Sequence, residues 1–153
     1  MDIHKDFLLV SFIRYHQTKL ANSCFTSALA NKINAAGIQN VKAVCAAPGW
    51  ARTNLFKSGG MEEQMNANSN SAMNAFNGVV MGLAQSAEDG AMPLLTAMFG
   101  TKTKNGDFYE PRGLGGISGK VRKVDYDRNS ASIEQQKMLW ELSELASGGK
   151  FTL

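Results

Sequence analysis

The chain has 153 residues, 44% of them apolar and 19% charged, with a formal net charge of +3. That suffices for one ordinary globular domain with a core. The basic residues are scattered, so neither a nucleic-acid stripe nor a polybasic membrane patch is expected.

Residues 5–36 contain neither Pro nor Gly, and Gly37 then supplies a helix stop. Leu20, Cys24 and Ala28 repeat every four residues, and Ala21, Phe25, Leu29 and Ile33 do the same one step round. This predicts a helix from Ser11 to Ala36 with a broad apolar face of small residues, suited to close helix packing. The run Phe7–Ile13 is ambiguous: it extends that helix or forms a strand before it. It is too short to span a bilayer and lacks a cleavage signal, so no membrane span and a cytoplasmic location are expected.

Val41–Ala46 reads as a short buried strand ending at the Pro48-Gly49 turn. Cys24 and Cys45 fall on the helix and the strand, with spacing that suits neither a disulfide framework nor a metal site; no metal is expected. Residues 57–82 are rich in Asn and Met and carry Gly59 and Gly60, which predicts a flexible excursion, either a substrate lid or a surface loop without a role.

Ser86 followed by Asp89 resembles a capping box, opening a helix that runs to Phe99, stops at Gly100 and is kinked by Pro93. Gly106–Pro111 reads as a short strand and residues 113–119 as a Gly-rich loop. Ser132 with Gln135 caps a final helix from Ile133 to Ala146, closed by Gly148-Gly149.

Tyr15 and Lys19 lie four apart on the first helix and so share a face. An ammonium beside a phenol favours the phenolate, which suits a proton donor and acceptor in hydride transfer. Taken alone, such a pair is more often an ordinary helix-surface contact. Trp140 and Tyr109 read as packing residues, His4, His16 and Arg52 as surface residues.

Five segments in order carry a wider pattern: Tyr15-His16-Gln17-Thr18-Lys19, Ala47-Pro48-Gly49-Trp50-Ala51-Arg52-Thr53, Gln85-Ser86-Ala87-Glu88-Asp89-Gly90, Gly106-Asp107-Phe108-Tyr109 and Leu139-Trp140-Glu141-Leu142-Ser143. In these the chain resembles the C-terminal half of the short-chain dehydrogenase/reductase family, in the branch of the retinol dehydrogenases and WW-domain oxidoreductases. The resemblance implies an α/β fold, the C-terminal part of a Rossmann-like doubly wound domain, mostly helical with about two remaining strands. It implies one partial domain over 1–153: an atypical segment 1–14, a catalytic helix, strand and nicotinamide-side turn over 15–53, a substrate-lid region over 54–84, and C-terminal helices with the last strand over 85–153. Tyr15 matches the catalytic acid/base. Lys19 matches the residue that supports it and bonds the nicotinamide ribose of NAD or NADP. Pro48, Gly49 and Thr53 match the segment lining the nicotinamide, with Thr53 bonding the carboxamide or a phosphate. Apolar Phe56, Phe76 and Leu83 in the lid region suggest a small hydrophobic alcohol or carbonyl substrate.

The departures are equally specific. No Gly occurs before Gly37, so the family's phosphate-cradling glycine loop is absent, and Ser11 lies too close to Tyr15 to be its catalytic Ser. The expectation is a truncated oxidoreductase that is not self-sufficient, against the alternative of a non-catalytic oligomeric interaction module or gene fragment. Two strands alone would leave an open strand edge and an uncovered helix face. Phe7–Ile13 folding back as a strand, or self-association into a homo-oligomer, would cover them.

Overall fold

The computed structural model describes residues 3–51, 82 and 84–153. Helix α1 (Ile3–Ala35) is followed by strand β1 (Cys45–Ala46), helix α2 (Ala87–Phe99), strand β2 (Phe108–Gly113), a 3-10 turn (Leu114–Gly116), strand β3 (Ser118–Val124) and helices α3 (Arg128–Ala131) and α4 (Ile133–Ser147). The three strands form one sheet in the order β1-β2-β3, with β2 and β3 antiparallel. The chain is an α/β protein that divides into two compact units.

The first unit holds α1, residues 104–107, α3 and α4. The Phe7–Ile13 run is helix, not a substitute strand, so α1 begins eight residues ahead of the predicted Ser11 (11 − 3 = 8). With no Gly or Pro to interrupt it, the helical register simply continues backward. The C-terminal half of α1 buries Cys24, Ala28 and Ile33 of the predicted face together with Ala30, while Leu20 and Phe25 of that face stay exposed, and α1 packs on α3 and α4. Ala30, Ile33 and Ala43 form the core of this unit, with Leu29 and Ile38 against it.

Polar side chains fix the rest. Gln136, buried on α4, accepts from Asn31 Nδ2 at 2.8 Å and donates through Nε2 to Ser27 Oγ and the Ser130 carbonyl, both at 2.8 Å. Asn105 donates to the Ala30 carbonyl and accepts from the Ala43 amide, each at 2.8 Å. That side-chain bond, with Gly106 N donating to the Ala43 carbonyl, occupies the backbone just before β1. The predicted Val41–Ala46 strand is therefore shortened to Cys45–Ala46.

Trp140 packs in the first unit as expected: it is buried, stacks on Phe25 with ring centroids 5.4 Å apart, and lies beneath Lys32 Nζ at 4.6 Å. Helix α4 starts at the Ser132 cap and ends at left-handed Gly148, one residue beyond the prediction (147 − 146 = 1). Asp127 caps the short α3, which has too few turns to show a period in sequence.

The second unit holds residues 46–51, α2, β2 and β3, with α2 lying on the two long strands. Ser86 caps α2 through the Asp89 amide, and the helix runs unbroken through a fully buried Pro93 to Phe99. Tyr109 is buried, its hydroxyl 3.1 Å from that of Thr103. The predicted loop at 113–119 is instead a 3-10 turn leading into β3, so the described residues supply three strands where about two were expected. β3 carries Lys120, Arg122 and Lys123 and half-buries Ser118, Val121 and Val124, every third residue. That spacing lacks the two-residue alternation by which a strand is recognised. Arg122 sits directly opposite Glu110 in the ladder and bonds its carboxylate at 2.8 Å.

Candidate functional site

Tyr15 and Lys19 stand in the part of α1 where every described side chain from Ile13 to Leu20 faces solvent. Helical spacing brings them together: Lys19 Nζ lies over the Tyr15 ring, 5.3 Å from its centroid, and half of Tyr15 is exposed. In this rotamer the ammonium meets the face of the ring, a cation–π arrangement. His16 meets the Tyr15 ring edge-on at 5.8 Å. Thr18 Oγ1 donates to the Tyr15 carbonyl at 2.7 Å and Ser23 Oγ to that of Lys19 at 3.1 Å, so both neighbours bond the helix backbone rather than the pair's functional groups.

Pro48 and Gly49 belong to the second unit. Gly49 is left-handed, with φ +69°. A Cβ there would lie 2.4 Å from the Ile117 carbonyl oxygen and 2.7 Å from that of Gly116. The glycine is thus required by the β2–β3 connection packing behind the turn, a reason the sequence does not reveal. Trp50 N donates to the Ile117 carbonyl at 2.7 Å and fixes the same contact.

A buried glutamine holds the turn from its other side. Gln85 N donates to the Trp50 carbonyl at 2.9 Å, and Gln85 pairs with Ala51 in a parallel bridge. Its side chain donates through Nε2 to the Pro48 carbonyl and accepts at Oε1 from Gly119 N at 3.2 Å. Gly90 lets α2 approach, since a Cβ there would lie 2.6 Å from that of Ala51. Sequence reasoning placed Gln85 in a motif but gave it no task. A polar residue just ahead of a helix cap is ordinary, and its partners at Pro48 and Gly119 are distant in the chain.

Thr53, Arg52 and nearly all of the expected lid, 54–84, lie outside the described residues. Among the described residues no cluster of His, Cys, Asp and Glu could hold a metal ion, and no helix is long and apolar enough to cross a membrane. Cys24 and Cys45 are thiols. Burial pushes Cys24 up from the ordinary thiol value, and Asp127 adds to this. Burial likewise raises the Tyr126 hydroxyl, with Cys45 and Asp107 acting in the same direction. Neither change activates a nucleophile or a base at neutral pH.

The chain is similar to a crystal structure of an uncharacterized protein from Mycobacterium paratuberculosis, with 28% identity and a TM-score of 0.61 over 91% of this chain. It spans only 40% of the length of that structure. No protein-family model matches the chain, and no curated protein does.

Proposed function

We propose that the chain carries the catalytic portion of an NAD(P)-dependent oxidoreductase of the short-chain dehydrogenase/reductase type, on the C-terminal part of a Rossmann-like fold. The observation that carries the reading is the Tyr15–Lys19 pair, ammonium against ring on an exposed helix face. Its support is the ordered set of five sequence segments. Tyr15 would hold and deliver the proton at its hydroxyl oxygen. Lys19 would swing from the ring face to favour the charged hydroxyl and donate to ribose oxygens. Pro48 and Gly49 would present a rigid backbone turn, and Thr53 a hydroxyl, to the nicotinamide side.

The residues fit one half of the dinucleotide. An accessible ammonium and phenol suit the nicotinamide ribose, whereas no Gly precedes Gly37 to cradle the pyrophosphate. When bound, the cofactor supplies or accepts the hydride. A pyrophosphate cradle would have to come from residues other than these 153, in a longer protein or a partner chain. The substrate class proposed is a small hydrophobic alcohol or carbonyl.

The test is titration of the purified chain with NADH and NADPH, read by fluorescence and calorimetry. Weak binding is expected. Saturation in the micromolar range would mean that the chain rebuilds a full cofactor site. No binding at millimolar cofactor would remove the oxidoreductase reading for the isolated chain. A non-catalytic oligomeric module is the second reading, favoured by the exposure of Met98 and Phe99 at the end of α2 and of Leu142 and Leu145 on α4.

A further inference from the structure

We propose that Gln85 is the positioning residue of the Pro48–Gly49–Trp50 turn, fixing the backbone that the oxidoreductase reading assigns to the nicotinamide side. The proposal rests on that reading for its ligand, and on the turn's hydrogen bonds for its geometry.

A backbone turn that must present itself to a flat ring needs its peptide planes fixed in advance, because reorientation at binding costs affinity. The Pro48-Gly49 turn is fixed on two sides. Behind it, Ile117 and Gly116 leave no room for a side chain at Gly49, and Ile117 accepts from Trp50 N. On the other side all three hydrogen-bonding groups of Gln85 just described are committed. The backbone amide takes the Trp50 carbonyl, Nε2 takes the Pro48 carbonyl, and Oε1 takes Gly119 N at the start of β3. The Gln85 side chain is buried, so its own donor and acceptor are held to these partners rather than to water.

One residue therefore ties the carbonyl that starts the turn to the strand that packs beside it. A side-chain amide suits this, since one end donates and the other accepts without a charge. Glutamate keeps the acceptor for Gly119 N but sets a carboxylate oxygen against the Pro48 carbonyl. Leucine keeps the bulk and loses both bonds.

The experiment compares the full chain with its Gln85→Leu and Gln85→Glu variants by amide NMR with hydrogen exchange, thermal unfolding and titration with NADH. In Gln85→Leu the amides of Gly49, Trp50 and Gly119 should shift and exchange faster. Those of Ser130 and Gln136 in the other unit should stay as they are. The NADH dissociation constant should rise about tenfold in protein that remains folded. Gln85→Glu should keep Gly119 N protected while displacing Gly49 and Trp50.

A lower unfolding midpoint with unchanged turn amides and unchanged NADH affinity would overturn the proposal and leave Gln85 as a core-filling residue. The oxidoreductase reading would survive that result. Should the unmodified chain bind no NADH, the oxidoreductase reading fails and the cofactor role of Gln85 goes with it. The Gly49, Trp50 and Gly119 amides then decide whether Gln85 sets the turn at all.

Discussion

At the scale of single residues, the chemistry proposed for Tyr15 separates cleanly from stability. The ring is half exposed and its neighbours bond the backbone, so Tyr15→Phe should leave the unfolding midpoint unchanged. Any hydride transfer measured by NADH absorbance with a reconstituted cofactor half should fall about a hundredfold or more. Gly49→Ala should act the opposite way. A left-handed alanine whose Cβ meets two carbonyl oxygens should lose at least about 2 kcal/mol in denaturant unfolding. Asp127 gives a pH dependence. Burial acts to raise its carboxyl, but the Ser130 hydroxyl and the Ser130 and Asn129 amides outweigh this and hold it below the usual value. A lowered folded-state value gives stability that is fully present above the unfolded value of about 3.9 and lost as pH falls through the folded one. Asp127→Asn retains a capping oxygen without the charge and should flatten this acid limb, measured as denaturant midpoints from about pH 5 to about pH 2. Tyr15 and Lys19 were legible because spacing on one helix is a property of the sequence. Gln85 was not, because its partners come from two other segments.

At the scale of elements, α1, α2 and α4 follow from what the sequence displays: a run free of Gly and Pro, a Ser86 cap, and a Ser132 cap with a terminal Gly148. The extent of β1 depends on Asn105, whose side chain takes the Ala43 amide out of the ladder. β3 depends on its antiparallel pairing with β2, visible only once the turn at Gly115 and Gly116 is known. The helical layer rests on two side chains. Trp140→Ala should destabilise by about 3–5 kcal/mol, since it removes the ring that Phe25 and Lys32 pack on. Gln136→Ala should cost about 2 kcal/mol by orphaning the buried Ser130 carbonyl and removing the bonds to Asn31 and Ser27. Chemical denaturation of the two variants checks both.

At the scale of the molecule, β1 stands at the edge of the sheet among the described residues, and Phe7–Ile13 is helix rather than a strand that could lie beside it. Self-association remains the proposed cover for that edge. Sedimentation at on the order of tens of micromolar should give a species heavier than one chain, and a monomer there would count against it. Composition and element order made the α/β class legible. They could not foresee the division into two compact units, because it follows from contacts between distant segments such as Asn105 with α1 and α4 with α1.

The pairing of Ala51 with Gln85 has a consequence for variation and design. It brings the chain back to where it left, with the Gln85 amide on the Trp50 carbonyl, so everything inserted between the two starts and finishes at one spot. The entropy of closing such a span grows only logarithmically, about 0.6 kcal/mol for each doubling of its length. A change in the length of chain between Ala51 and Gln85 therefore adds little closure cost, because the Ala51–Gln85 bridge fixes both ends whatever lies between them.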